Sequence, residues 1–281
     1  MVLLWPCIIL LPLCMATFGA HEWLFPDTWW QDSVYCPSPL GLFLGLSSVI
    51  LGITFTCLYH WTRIHNIIGS KPVFIQPNTV SKYHFWTGFR KYLTSPEGFI
   101  MIGGYLSGTW IFRMMPKSYY VYNGDINWLH VFAQLLIQDF LQFVMHLAQH
   151  KVSSIVYRSS HKQHHRFVSP CLFNAFDGSL TDTFFMILIP LYITALIVPA
   201  NVWSYMTFGS IYANWLTLIH SEYHHPWDPI FQYIGFGTPA DHHVHHKLFL
   251  YNFSHLFSYW DRMIGTYKDP HKIKINYKFI R

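Results

Sequence analysis

Four histidine patterns stand out, because imidazoles at such spacings can hold metal ions. They are His146-x-x-x-His150, His161-x-x-His164-His165, His220-x-x-x-His224 and His242-x-x-His245-His246. On a helix, residues three and four apart share a face, so each motif can aim two or three ring nitrogens at one point. Ten such nitrogens can ligate two metal ions, about five each, with positions left open for oxygen species. A lone His-x-x-x-His on an apolar helix is more often structural, and histidine-rich tracts can be loose metal-binding tails. Here 14 of the 19 histidines fall between residues 130 and 255, at fixed spacings and in apolar context. That argues for a built site. His225 and His243 are spare members, either able to replace a neighbour. His21, His60, His65, His84 and His271 read as surface or interface residues.

The elements that must position these residues are membrane helices. The chain of 281 residues is 52% hydrophobic, 19% aromatic and 11% charged, with a mean hydropathy of +0.23. Soluble domains carry roughly 25% charged residues. The apolar runs are 2–20, 38–60, 98–112, 126–146, 183–200 and 202–219, against about 20 residues for one span. The pattern predicts an all-α integral membrane bundle of four to six spans, capped by a helical region that carries the metal site. Run 2–20 lacks a basic start and has Phe18 where a cleavage site needs a small residue, so it reads as a first helix rather than a signal peptide. The five cysteines have no pairing or C-x-x-C pattern and read as small hydrophobes.

Within the fourth run, Asn127, His130, Gln134, Gln138, Asp139, Gln142, His146, Gln149 and His150 recur at steps of three and four. Such a polar stripe on a membrane helix faces the bundle interior, making this helix one wall of the site. Asp139 is read either as the partner that orients a histidine or as a buried structural carboxylate. Gly104-x-x-x-Gly108 suggests a close helix contact. Phe173, Phe176, Phe184, Phe185 and Tyr192 suggest either a lipid channel or bundle packing, with packing the commoner role.

Basic residues set the expected topology. Five Lys or Arg fall in 61–97, two in 113–125, four in 147–180 and seven in 220–281. Because loops alternate sides, nearly all of them lie on one face, which the positive-inside rule makes cytoplasmic. The four histidine motifs fall on that face too. The sequon Asn252-Phe253-Ser254 does as well and is expected to be unmodified. Arg158, Lys162, Arg166, Lys272, Lys274, Lys278 and Arg281 are positioned to attract an acidic electron carrier, although basic residues face the cytoplasm in most membrane proteins.

Taken together, the four motifs resemble those of the fatty acid hydroxylase and sterol desaturase superfamily. The stretch "HHVHHKLFLYNFSHLFSYWDRMIGTYKDP" is similar to the C-terminal signature of sterol C5-desaturases, and "FNAFDGSL" fits that branch. "HSEYHHPW" fits it less well: its Pro226-Trp227 resembles sterol C4-methyl oxidases and cholesterol 25-hydroxylases, and its His220/His224 spacing resembles fatty acyl 2-hydroxylases. The resemblance covers about residues 127–270. It implies a multi-pass enzyme of the endoplasmic reticulum with two iron ions held by His146, His150, His161, His164, His165, His220, His224, His242, His245 and His246. It also implies O2 and NAD(P)H-derived electrons, cytochrome b5 or an equivalent donor, and a lipid substrate in the bilayer. No nucleic acid partner is expected. The implied organisation is a membrane and connector region over 1–97, a catalytic domain over 98–270 and a basic tail over 271–281.

Imidazole suits zinc, copper, iron and nickel alike, so spacing alone does not select iron. Oxidising an unactivated C–H bond nevertheless needs a metal centre, since side chains alone cannot supply the oxidant. The leading expectation is desaturation or hydroxylation of a lipid, with a sterol first and a fatty acyl or sphingolipid chain second. A histidine-lined metal transporter would place its ligands near the bilayer midplane, whereas these cluster at one face. A non-catalytic metal-binding membrane protein is the remaining alternative, and the full set of ten expected ligands gives no sign of decay.

Overall fold

The computed structural model describes residues 36–67, 71–79, 83–121 and 124–273. Run 2–20 and the basic residues Lys274, Lys278 and Arg281 lie outside the described residues. The helices are α1 (Pro39–Ile64), α2 (Phe85–Thr94), α3 (Met101–Ile111, preceded by a π-helical turn over Pro96–Ile100), α4 (Trp128–Lys151) and α5 (Ser154–Ser159). They continue with α6 (Leu180–Ile197), α7 (Val202–Leu218), α8 (Asp228–Tyr233), α9 (Pro239–Leu248) and α10 (Tyr259–Ile264). No strand forms among the described residues, only two isolated bridges. Against the expected four to six spans, three of the described helices, α1, α4 and α6, are long and apolar enough to cross a membrane. Runs 98–112 and 202–219 do form helices, but α3 has 11 residues and α7 has 17.

Helix α7 is the axis of the bundle and is buried along most of its length. It starts where Asn201 accepts a hydrogen bond from Ser204 N, a side-chain cap that satisfies a backbone donor otherwise left open. Helix α1 lies parallel to it. A Cβ added to Gly41 would stand 3.7 Å from Val202 and only 2.7 Å from Trp110, and one added to Gly52 would stand 2.6 Å from Asn214. The missing side chains at Gly41 and Gly52 leave room for Trp110 of α3 and Asn214 of α7. Thr56 donates to the Asn214 carbonyl oxygen, and Tyr92 and Thr217 share a hydrogen bond of 2.8 Å. By contrast, Gly104 and Gly108 meet no described atom within 4 Å. The helix contact expected of them is not made among the described residues.

Helices α1, α4 and α7 all run toward the same end, where α5, α8, α9 and the turn 249–258 gather. Helix α9 begins with a capping box. Thr238 accepts from Asp241 N, and Asp241 accepts from Thr238 N at 3.0 Å, with Pro239 in the first turn. Beyond α9, Phe249 and Asn252 take positive φ of 60° and 54°, which turns the chain back over the histidines. Asn252 donates to the carbonyls of Asp241 and Lys268 and accepts from Lys268 N. At 2% exposure it offers a glycan no access.

Asp139, on the polar stripe of α4, touches no histidine. It accepts from Leu256 N at 2.7 Å, Phe257 N at 2.9 Å and Trp260 Nε1 at 3.0 Å. Of the two roles read for it, the structural one is realised: it pins the returning turn to α4.

Candidate metal centre

Nine of the ten motif histidines converge at this end of the bundle, in two groups. His146, His150, His161, His165 and His245 form one, and His164, His220, His242 and His246 form the other. Within each group, one ring nitrogen per residue lies within 4.8 Å of all the rest. On α4 and α9 the partition follows helix geometry. His146 with His150, His161 with His165, and His242 with His246 are four residues apart and stay together. On α9 the neighbours His245/His246 point about 100° apart and are divided between groups, and His164 and His165, in a 3-10 turn, are divided likewise.

His224 joins neither group. The helix ends at Leu218, and beyond it Tyr223 bridges to Phe74 while His224 N donates to the Val73 carbonyl. The i, i+4 argument needs a continuous helix, so it does not carry His224 to the site. The His224 side chain is 39% exposed and stands 3.8 Å from Asp228. The spare members are buried apart from the groups. His243 shares a hydrogen bond with Gln76 and donates to the Ser221 carbonyl, and His225 meets the Tyr59 hydroxyl. His60, expected at the surface or an interface, is 1% exposed and pairs with Glu222 at 3.2 Å. A lone histidine in an apolar run carries no sequence mark of such a partner.

Four rings have their protons held on Nδ1. His146 donates from Nδ1 to the Phe253 carbonyl at 2.7 Å, His245 to Tyr251 at 2.8 Å and His220 to Leu216 at 2.7 Å. His161 donates from Nδ1 to Asp182 at 2.9 Å. The Nε2 atoms therefore carry lone pairs and face inward. His146 and His161 bring these atoms to 2.9 Å, and His165 and His245 bring theirs to 3.1 Å. In the other group, Nε2 of His220 and His242 lie 2.9 Å apart, and Nε2 of His242 and His246 lie 3.1 Å apart.

Between His146 and His161 no proton is left to form a hydrogen bond, since both Nδ1 protons are committed elsewhere. Two bare lone pairs at that distance repel unless a cation lies against both. Two nitrogens each about 2.1 Å from one metal ion and at right angles stand about 3.0 Å apart, which is the separation seen. The donors at His146 and His161 thus fit a metal ion, and the second group offers four imidazole nitrogens within 4.8 Å of one another.

The surroundings keep these groups neutral. Burial first, then neighbouring imidazoles, pushes His165, His242, His245 and His246 well below the ordinary histidine range, and His164 to about 4. Neutral imidazole is the ligand form. Glu222 is held down at about 2: burial opposes its charge, but the His60 charge and hydrogen bonds from His60 and Tyr83 outweigh burial.

Two residues near the centre escaped the sequence reading. Asp182, in the first turn of α6, holds the His161 ring. Its only local signal is the Ser179 cap, which places it in the third helical position. His255 is stacked between the groups, with ring centres 5.0 Å from His146 and 5.3 Å from His242. Its Nδ1 has no hydrogen-bond partner. No spacing rule marks it in "FSHLF".

Two cavities lie side by side here, with three residues common to their walls. One, with about 430 Å3 of empty space, is lined by His161, His164, His220, His255, Gln142 and Asp182 among others. The other, larger one lies between α1, α3, α6 and α7, with about 830 Å3 of empty space that includes its open side, and no charged residue lines it. Phe176, Ile187 and Leu216 line both. Of the aromatics read as channel or packing, Phe176 stands at this junction, Phe173 is packed in the core, and Phe184 and Phe185 are exposed on the outer face.

Residues 131–266 match the fatty acid hydroxylase family. The alternative squalene epoxidase of Phaeodactylum tricornutum is 46% identical over 275 residues, covering 95% of this chain and 79% of that protein. The cholesterol 25-hydroxylase of Mus musculus is 33% identical over 49% of this chain and 46% of its own length. The Delta(7)-sterol 5(6)-desaturase of Candida glabrata is 28% identical over 63% of this chain and 45% of its own length. No solved structure matches the chain.

Proposed function

Because the chain belongs to the fatty acid hydroxylase family of oxidoreductases, we propose that it oxidises an apolar isoprenoid lipid with O2, and that the reaction is epoxidation of squalene. One observation carries the lipid reading: the uncharged cavity between the helices shares Phe176, Ile187 and Leu216 with the cavity of His161, His164 and His220. A hydrocarbon in the first can bring a carbon–carbon double bond to the mouth of the second. The choice of squalene rests on the likeness to the Phaeodactylum protein, which extends over 95% of this chain. A second reading is desaturation of a sterol, supported by the tail from His242 to Pro270 and by the Candida relative.

In the proposed reaction, squalene, O2, two electrons and two protons give the epoxide and water. Iron, when bound by the two histidine groups, would supply the activation of O2, one atom of which enters the lipid. His146, His150, His161, His165 and His245 would hold one ion, and His164, His220, His242 and His246 the other. The chain's own residues do the remaining work. Carbonyls of Phe253, Tyr251 and Leu216 and the carboxylate of Asp182 keep protons on Nδ1, so that Nε2 stays free to donate. Phe176, Ile187 and Leu216 position the alkene and exclude bulk water from the junction. NAD(P)H-derived electrons through cytochrome b5 or an equivalent carrier complete the proposal. So do residence in the endoplasmic reticulum and a histidine end that faces the cytoplasm.

Mass spectrometry of neutral lipids from cells expressing the wild-type chain or His245→Ala tests this. A squalene species with one added oxygen, present only with the wild type, supports epoxidation. A sterol lacking two hydrogens moves the assignment to desaturation, and an oxygenated sterol moves it to hydroxylation. Identical lipid profiles, from cells containing metal-loaded protein, O2 and a working donor, refute lipid oxidation.

A further inference from the structure

The larger cavity follows α7 from Val202 to Leu216, a distance of about 21 Å at about 1.5 Å per residue. It borders the histidine cavity at the Leu216 end, where both are lined by Phe176, Ile187 and Leu216. Two glycines on facing helices line its outer part: Gly45 of α1 and Gly209 of α7. A Cβ built on either meets no described atom within 4 Å. The contrast with Gly41 and Gly52 on the same α1 is direct, since a Cβ there would press against Trp110 and Asn214. Those two glycines admit a neighbouring helix element. The space at Gly45 and Gly209 is cavity. Glycine inside a helix weakens it relative to alanine, and no close packing accounts for these two.

Their levels differ along the bundle axis. Gly209 lies seven positions before Leu216, about 10 Å from the junction. Gly45 lies farther out, because α1 and α7 run parallel with Gly41 beside Val202 and Gly52 beside Asn214.

We propose that Gly209 and Gly45 set the length of lipid the site accepts, by keeping open the part of the cavity beyond about 10 Å from the junction. The proposal rests on reading the cavity as the lipid site. A lipid whose reacting end lies at Leu216 must pass Gly209 if it is longer than that distance. A leucine at position 209 starts in open space, since its Cβ meets no described atom within 4 Å, and its branch extends into the passage. Long hydrocarbons are then excluded, while short ones still fit between Leu216 and the block.

The test uses the full metal-loaded chain in lipid nanodiscs, as wild type, Gly209→Ala, Gly209→Leu and Gly45→Leu. Metal content and unliganded melting temperature are measured first. Binding is read as thermal stabilisation by squalene and by a ten-carbon isoprenoid alkene, and turnover of both is followed with an electron donor. The expected result is that squalene affinity falls at least tenfold in Gly209→Leu and Gly45→Leu and by less in Gly209→Ala. The ten-carbon alkene keeps wild-type affinity throughout. Unchanged squalene affinity in Gly209→Leu, equal loss of both alkenes, or a wild type that binds neither overturns the proposal. If Gly209→Leu does not fold, a graded loss of squalene affinity through Gly209→Ala and Gly45→Leu supports it, and no grading refutes it. Squalene that binds the wild type in this length-dependent way but is never oxidised would sink the proposed reaction and leave the length rule standing. Squalene turned over equally by wild type and Gly209→Leu would do the reverse.

Discussion

Asp182 accepts the Nδ1 proton of His161 at 2.9 Å, and Nε2 of the same ring lies 2.9 Å from Nε2 of His146. The carboxylate thus decides which nitrogen of His161 faces the metal group. Gln149 also donates to Asp182, at 3.2 Å, which holds the carboxylate in place. Replacing Asp182 with Asn leaves an amide that can rotate and offer an N–H to the ring, weakening control of the tautomer. Metal affinity is expected to fall about 10- to 100-fold, the usual cost of losing such an outer partner. Competition with a chelator of known affinity measures it, and unchanged affinity would rule out the positioning role.

Asp139→Asn should behave differently. The carboxylate receives three N–H donors from Leu256, Phe257 and Trp260. The amide can accept from fewer of them and turns its own donors toward the rest. An unsatisfied buried group costs about 1–3 kcal/mol, so a lowered melting temperature is expected. The folded fraction should retain its metal. Loss of metal at a temperature where the variant is fully folded would show instead that the turn at Phe253 had moved.

His224→Ala should leave metal stoichiometry and affinity at wild-type values, because its side chain lies outside both groups. His245→Ala should lose metal, since His245 Nε2 faces His165 Nε2 at 3.1 Å and its Nδ1 proton is committed to Tyr251. Plasma mass spectrometry of the two purified variants gives the comparison. Equal metal loss in both would restore His224 to the ligand set.

His225 supplies a test of acid sensitivity apart from the histidine groups. Burial lowers it to about 4, with Asp228 opposing that shift and His60 adding to it. Above about pH 6.5 it is neutral in both folded and unfolded chains and contributes no pH dependence. As pH falls from about 6.5 to about 4, the unfolded chain takes up a proton that the folded one refuses. Stability therefore falls across that window, by up to about 3 kcal/mol for this residue. His225→Gln should lose less stability between pH 7 and pH 5 than the wild type. Parallel melting curves for the two proteins check this, and equal slopes would refute it.

Gly52→Ala tests the close contact of α1 with α7. The added methyl would stand 2.6 Å from Asn214 Nδ2, whose side chain also serves Thr56 and the Ser210 carbonyl. Overpacking of this kind costs about 1–3 kcal/mol, and the loss should appear in the melting temperature.

What the sequence determined by itself is local and periodic. Charge content and apolar runs identify a membrane chain, because transfer into a bilayer depends on composition over about 20 residues. The spacing of His146/His150 and His242/His246 was legible for the same reason, since 3.6 residues per turn makes such pairs neighbours wherever the helix continues. Only tertiary structure decided how the imidazoles divide between two groups, because His164 and His165 are separated by direction rather than by sequence. It also places His224 apart from both groups, where the helix stops at Leu218 and Val73 captures the backbone. Asp182, His255 and the Phe176 junction depend on contacts between distant segments. Those contacts are fixed by the packing of α4, α6 and α7 and by the turn that Asp139 pins, and no spacing within one helix encodes them.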